Sequence, residues 1–437
     1  MVEKLGYFIL PSELFANVRE KANDDEDLNI TLSNIFKNIE KSSKGSESEN
    51  DFSGLFEDVD VNSKKLGNTV KDRNKKLTKL LEKIGDMQLG NYEDNTIDAF
   101  GDAYEFMMGM YASSAGKSGG EYYTPQEVSE LLTRLATYGK TKVNKVYDPA
   151  CGSGSLLLKT IKVLGKNSVK KGFFGQEINL TTFNLCRINM ILHGLNFANF
   201  DIANGDTLTN PLHEDEEPFD VIVSNPPYSI KWVGDDDLTL INDERFAPAG
   251  VLAPKSKADM AFIMHALSYL STDGAAAIVC FPGIFYRGGA EQKIRKYLID
   301  NNFIDTIIQL PDNLFYGTSI ATCIMVLKKS NKLDNNFVFI DATEECIKVT
   351  NNNKLTDENI ENIVKCFSDR KKIKNKVAVV PYDKIVENDY NLSVNTYVEK
   401  KDTREKIDID KLNADIKEIV AKEEKLRKEI DKIIEEI

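Results

Sequence analysis

A chain of 437 residues, 41% hydrophobic and 29% charged, has the length for two or three domains and a composition that excludes wholesale disorder. Its net charge of −13 is the wrong sign for a protein that grips nucleic acid unaided, because phosphate contacts need clustered Lys and Arg. A nucleic-acid substrate would therefore require a local basic patch or a partner that supplies most of the grip.

Residues 1–97 read as a mainly helical domain. Leu14 with Val18 and Ile35 with Ile39 are i,i+4 pairs, and Leu77, Leu80, Leu81 and Ile84 form a stripe in a lysine-rich helix. Lys41 to Asp51 has no apolar residue and is expected to be a loop or linker. Leu5 to Leu10 resembles the middle of a packed unit, so an earlier portion of this domain is expected to be missing. From about Thr141 the pattern becomes alternating strands and helices, which defines an α/β domain over 98–400 with a mostly parallel sheet covered on both faces. Seven strands are expected, at Val143–Asp148, Gly172–Glu177, Phe200–Ala203, Phe219–Ser224, Ala275–Phe281, Phe303–Leu310 and Thr322–Leu327, with Phe337–Asp341 as a peripheral eighth. With helices at Leu156–Leu164, Leu180–Leu192, Lys257–Leu270 and Glu291–Ile299 they give a Rossmann-like doubly wound fold that binds ligand at the carboxyl edge. In 401–437, Ile409, Leu412, Ile416, Ile419, Glu423, Leu426, Ile430, Ile433 and Ile437 follow a heptad spacing with one charged exception. A helix folded back on its own domain is one reading of this stripe, and a coiled-coil contact with another chain is the favoured one.

Asp148-Pro149-Ala150-Cys151-Gly152-Ser153-Gly154 follows the first strand and precedes a helix, the context that gives a glycine-rich loop meaning. Gly152 and Gly154 permit tight curvature and close approach of a ligand. The spacing is neither that of dinucleotide enzymes nor that of a phosphate loop. Glu177, ending the second strand, can accept hydrogen bonds from two ribose hydroxyls, and Asp206, after the third, can accept from an adenine amine. Ahead of the first strand, Gly120-Glu121-Tyr122-Tyr123-Thr124-Pro125 is expected to start a helix, with Thr124 as N-cap and Pro125 first in the helix. Free N–H groups there suit a carboxylate such as that of a methionine moiety. These groups together specify S-adenosylmethionine.

Asn225-Pro226-Pro227-Tyr228 follows the fourth strand. An exocyclic amine on a base is a poor nucleophile because its lone pair is delocalised into the ring. The Asn225 side-chain carbonyl and the Pro226 backbone carbonyl can each accept one amine hydrogen, which stabilises the positive charge that develops on nitrogen as a methyl arrives. The prolines keep these carbonyls aimed, and Tyr228 offers a ring for stacking. The transfer needs no metal and no cysteine nucleophile. The three histidines lie far apart and the six cysteines show no C-x-x-C spacing, so neither a zinc site nor a disulfide framework is expected. No stretch of about 18 apolar residues is present and no leader segment is visible, which makes the cytoplasm the expected compartment.

At these residues the chain closely resembles the modification subunits of type I restriction–modification systems, a family of adenine-specific DNA methyltransferases. The segments 252–259 (LAPKSKAD), 286–291 (YRGGAE), 314–318 (LFYGT) and 389–392 (DYNL) carry the resemblance beyond the motifs shared with other nitrogen methyltransferases. It implies methyl transfer from S-adenosylmethionine to the 6-amino group of an adenine flipped from the DNA duplex. Sequence choice would rest with a separate specificity subunit, which binds two modification subunits, and a translocating nuclease (restriction) subunit joins for cleavage. It also carries the cofactor role to Gly120–Pro125, Gly152–Gly154 and Glu177, the catalytic role to Asn225–Tyr228, and the specificity-subunit contact to the terminal heptads. Two rivals remain open on the residues alone: a methyltransferase acting on a protein glutamine amide, and an inactive scaffold that binds cofactor and partner.

Overall fold

Eleven strands are present among the described residues: β1 (Val143–Asp148), β2 (Val169–Glu177), β3 (Phe200–Asn204), β4 (Phe219–Ser224), β5 (Leu270–Cys280), β6 (Ile304–Gln309), β7 (Cys323–Lys328), β8 (Phe337–Asp341), β9 (Ile347–Val349), β10 (Asn352–Lys354) and β11 (Val377–Val380). Nine of them form one sheet, in the order β11-β8-β6-β7-β5-β4-β1-β2-β3, and β9 pairs with β10 as a hairpin. The computed structural model describes residues 2–87, 106–107, 110, 124–165, 167–315, 319–330, 332–350, 352–399 and 409–435. Met1–Glu399 form one unit and Lys400–Ile437 a second. The boundary expected at residues 97/98 lies outside the described residues.

The helices are α1 (Val2–Leu5), α2 (Phe15–Lys21), α3 (Leu28–Ser42), α4 (Glu49–Phe52), α5 (Val70–Gly85), α6 (Gln126–Ala136), α7 (Ser155–Leu164), α8 (Leu180–Leu192), α9 (Asp259–Tyr269), α10 (Ala290–Asp300), α11 (Asp357–Asp369), α12 (Tyr382–Glu387), α13 (Val394–Tyr397) and, in the second unit, α14 (Ile409–Glu435).

Strand alternation sorts side chains to two faces. Ile222, Ala276, Ile278, Ile307 and Met325 join one core with α9 and α10, while Val221, Val223, Ala277, Val279, Ile308 and Ile324 join another with α6, α7, α8 and α11. Both faces are covered, and the central strands read as continuous apolar runs for that reason. Strands β3, β2, β1, β4 and β5 run parallel, and β7 inserts antiparallel between β5 and β6.

The doubly wound α/β fold is as the sequence implied, with a wider sheet. Phe337–Asp341 is an interior strand between β6 and β11. The additional edge strand, Val377–Val380, is only four residues long and follows a lysine-rich stretch, so it offers no periodicity to read.

In the N-terminal helices, Val18, Leu28, Leu32, Ile35 and Leu77 make a small separate core, whereas Leu14, Leu80 and Ile84 are exposed. Lys41 to Asp51 differs from the expected linker. Helix α3 continues to Ser42, α4 begins at Glu49, and Ser43 and Ser48 are fully buried. Serine hydroxyls make this burial tolerable: Ser43 donates to the Glu40 carbonyl (2.8 Å) and Ser48 to the Gly6 carbonyl (2.6 Å). This layer is fastened to the sheet domain by buried Arg187 of α8, whose Nη1 donates to the carbonyls of Asn50, Asp51 and Ser53.

Candidate active site

The parallel strands end at one edge, where β1 delivers Asp148, β2 Glu177, β3 Asn204 and β4 Ser224. Chain order reverses between β1 and β4, and in a doubly wound sheet the ligand crevice lies at the carboxyl ends of the strands at such a switch point. The glycine loop leaves β1 on one side of this crevice, and Asn225–Tyr228 leaves β4 on the other.

Asp148 is fully buried. Its Oδ1 accepts from the Ala150 N–H (3.0 Å) and the Ser224 hydroxyl (2.8 Å), while Oδ2 is buried without a hydrogen-bond partner. Burial pushes its pKa up to about 7, with a smaller push from the Glu177 charge. Gly152 and Gly154 both have positive φ (54° and 81°), and Gly154 leads into α7. A Cβ on Gly154 would lie 2.7 Å from both Cys186 Sγ and Met190 Cε, so the space expected for a ligand at this glycine is filled by α8. Ser153 is buried and its carbonyl accepts from Asn189 Nδ2 (2.8 Å). Cys151 is buried, with its thiol pushed well up by its contact with Cys186 and by desolvation, the condition of an inert thiol.

Glu177 reaches from β2 to the glycine loop. Oε2 accepts from the Gly152 N–H (3.1 Å) and Oε1 from the Asn179 N–H (2.8 Å), with the Ile178 N–H also near the carboxylate, which still leaves acceptor capacity for a further donor. Desolvation raises its pKa against these bonds. Asp206 is half-buried, and its Oδ1 accepts from the Leu208 N–H (3.0 Å). Thr207, which no sequence motif singles out, ties the two loops together: its hydroxyl donates to the Pro149 carbonyl (2.6 Å).

Gly120, Glu121, Tyr122 and Tyr123 lie outside the described residues. Thr124 and Pro125 sit one position earlier relative to the helix than expected. Pro125 is extended (ψ 138°) and is itself the N-cap of α6, its carbonyl accepting from the N–H groups of Val128 and Ser129. Thr124 is thereby released from capping, and its hydroxyl accepts from Asn225 Nδ2 (3.0 Å). The Asn225 oxygen in turn accepts from the Tyr228 hydroxyl. The Asn225 amide is thus fixed at both ends with one oxygen lone pair left over.

The Tyr228 ring meets Phe315 edge-on (6.4 Å, 88°). The next residue, Ser229, has positive φ (52°), and its N–H donates to both carboxylate oxygens of Asp259 at the start of α9 (3.1 and 3.0 Å). Phe315 and Asp259 were legible only as members of segments 314–318 and 252–259, without a role. The remaining family segments brace the turn after β5. Arg287 pairs with buried Glu291 (3.3 Å), and buried Arg295 donates to the carbonyls of Ile284 (2.7 Å) and Tyr390 (3.0 Å).

A nine-stranded sheet with this strand order, a glycine loop after β1, acidic groups after β2 and β3 and a fixed amide after β4 defines the class of S-adenosylmethionine-dependent methyltransferases. The model of the N-6 DNA methylase family matches residues 95–406. The chain is 53% identical to the type I restriction enzyme MpnII methylase subunit of Mycoplasma pneumoniae over 99% of its own length and 82% of that protein's. It is 34% identical to the MjaVIII methylase subunit of Methanocaldococcus jannaschii, covering 73% of this chain and 56% of that protein. The crystal structure of a type I restriction–modification methyltransferase subunit from Streptococcus thermophilus superposes with a TM-score of 0.82 at 37% identity, covering 91% of this chain and 82% of that one. The chain belongs to the N-6 DNA methylase family, the adenine-specific DNA methyltransferases.

Proposed function

We propose that this chain is the modification subunit of a type I restriction–modification system: it transfers a methyl group from S-adenosylmethionine to the 6-amino group of adenine in DNA, with the target sequence chosen by a separate specificity subunit. The observation that carries the reading is the Asn225 amide, held between Thr124 and Tyr228 beside the cofactor loops. When bound, S-adenosylmethionine supplies an electrophilic methyl carbon.

The chain's own groups fit that ligand. Glu177 retains acceptor capacity for ribose hydroxyls, Asp206 borders the same crevice as an acceptor for an adenine amine, and Asp148 holds an unpaired buried oxygen between the glycine loop and Ser224. Thr124 orients Asn225 so that its oxygen, not its nitrogen, faces Tyr228 and the site. That oxygen and the Pro226 carbonyl accept the two amine hydrogens and stabilise charge building on nitrogen. An adenine in duplex DNA reaches these acceptors only after flipping from the stack.

The acidic chain fits a division of labour in which the specificity subunit supplies most of the DNA grip and bridges two copies of this chain. Helix α14 is the handle for that contact, a restriction subunit joins for cleavage, and the work is done in the prokaryotic cytoplasm.

The test is transfer of label from S-adenosylmethionine to DNA lacking adenine methylation, with this chain alone and with the specificity subunit. Label on adenine only in the presence of both is expected. Asn225→Ala should lower the rate by about 10²–10³-fold, as loss of a transition-state acceptor does. Wild-type turnover by that variant would remove the catalytic assignment.

A further inference from the structure

The segment between the catalytic loop and α9 carries Arg245, a buried arginine whose five N–H donors are all used. Nη1 donates to the Thr207 carbonyl (2.8 Å) and to His265 Nδ1 (3.2 Å). Nη2 donates to the Leu208 carbonyl (2.9 Å) and to Asp243 Oδ2 (2.7 Å), and Nε to Asp243 Oδ1 (2.9 Å). Because guanidinium only donates, His265 Nδ1 is the acceptor, and its Nε2–H faces the Tyr147 hydroxyl in β1 (3.0 Å). Burial and the adjacent Arg245 charge keep His265 neutral, its pKa well below the usual value.

Both carbonyls held by Arg245 belong to the turn that follows Asp206. That turn is fixed at three further points: Leu208 N–H to Asp206 Oδ1, Thr207 hydroxyl to the Pro149 carbonyl, and the Asn210 N–H to the Asp206 carbonyl (2.7 Å). The other end of the Arg245 segment returns to the catalytic loop, where Trp232 N–H donates to the Lys255 carbonyl and Asp259 holds Ser229. One guanidinium therefore connects the chain that carries Asn225–Tyr228 to the loop on the cofactor side. Charged hydrogen bonds in a buried site are both strong and directional, so they suit this task better than apolar contact.

We propose that Arg245 is a positioning residue for the cofactor: by clamping the Thr207 and Leu208 carbonyls from the substrate-side segment, it sets the Asp206 carboxylate and makes cofactor affinity depend on that segment. This rests on the reading of Asp206 as a cofactor acceptor.

The experiment is calorimetric binding of S-adenosylhomocysteine to the full chain carrying Asp206→Ala, Arg245→Ala, both together, Arg245→Lys, and Arg370→Ala. Arg370 is a matched control, an arginine whose side chain is only 7% exposed and donates to Asp305, Asp334 and the Asn336 carbonyl toward the opposite edge of the sheet. Arg245→Ala should raise Kd by about tenfold or more, the scale of losing hydrogen bonds from a charged group. It should add little in the Asp206→Ala background, Arg245→Lys should recover part of the loss, and Arg370→Ala should lower the melting temperature while leaving Kd in place. Unchanged Kd for Asp206→Ala would end the reading of Asp206 itself. A Kd weakened by Asp206→Ala but unmoved by Arg245→Ala, or losses that simply add in the double variant, would overturn the positioning role. If Arg245→Ala does not fold, a normal Kd for Arg245→Lys overturns that role equally.

Discussion

The carboxyl edge of the sheet and helix α14 hold similar apolar residues under opposite conditions. Val221, Ile222 and Val223, which lead into the Asn225–Tyr228 loop, are completely buried between covered faces. Ile409, Leu412, Ile416, Ile419, Leu426, Ile430 and Ile433 of α14 are 49–67% exposed, along one stripe. An apolar period states that a surface demands cover; only the structure states whether the same chain supplies it. At the sheet edge it does, and Asn225, Glu177 and Thr207 are likewise held by this chain's own groups. Within its own unit α14 leaves the stripe exposed, and a heptad seam of that kind suits a facing helix.

The largest effect expected from this contrast is all-or-none. Removing residues 405–437 should abolish capture of the specificity subunit in a pull-down and leave S-adenosylmethionine affinity near normal. Retained capture would show that the seam serves another purpose. Altered cofactor affinity would show that the sheet edge is not self-sufficient.

A second, smaller effect probes the edge alone. The Asp148 carboxyl has a folded pKa of about 7 against an unfolded value near 4, so the folded state favours its protonated form. Its contribution to stability is complete below pH ~4 and is lost as pH rises toward ~7, with a slope on the order of 1 kcal/mol per pH unit. Asp148→Asn lacks this titration, so the urea midpoint of the variant should gain on the wild type across that window. Parallel midpoint-versus-pH curves would show that the burial of Asp148 is relieved by other means.

How much of this was legible differs between the same two regions and within the site. The strand ends at Asp148 and Ser224 were readable because a buried parallel strand is a short apolar run closed by turn residues. The heptad stripe was readable, but its cover was not, because periodicity does not say what packs on it. Long-range polar pairing was invisible: nothing in Thr124 announces a bond to Asn225, 101 positions away, rather than a helix cap. The same holds for Asp259 under Ser229 and for Arg245 beneath the Thr207 turn, since such bonds follow from topology and have no local period. At Gly154 the missing Cβ accommodates Cys186 and Met190, a packing demand of a helix far along the chain that a local glycine motif does not reveal.

The smallest expected effect tests whether a carboxylate already occupied by the protein can also serve a ligand. Glu177 accepts from the Gly152 and Asn179 N–H groups, so its remaining acceptor capacity is aimed by those bonds. Glu177→Ala removes the ligand's acceptor and also frees the Gly152 N–H in the glycine loop, and should weaken cofactor binding by about 1–3 kcal/mol. Glu177→Gln keeps one acceptor oxygen and presents an N–H where the other stood. If the carboxylate acts on the ligand, both variants should lose cofactor affinity while the free chain keeps its melting temperature, Gln less than Ala because its one oxygen still accepts from one hydroxyl. If it acts only by shaping the loop, the loss of affinity should come with a lowered melting temperature of the free chain. Calorimetry together with thermal melting therefore separates contact from scaffolding at the edge.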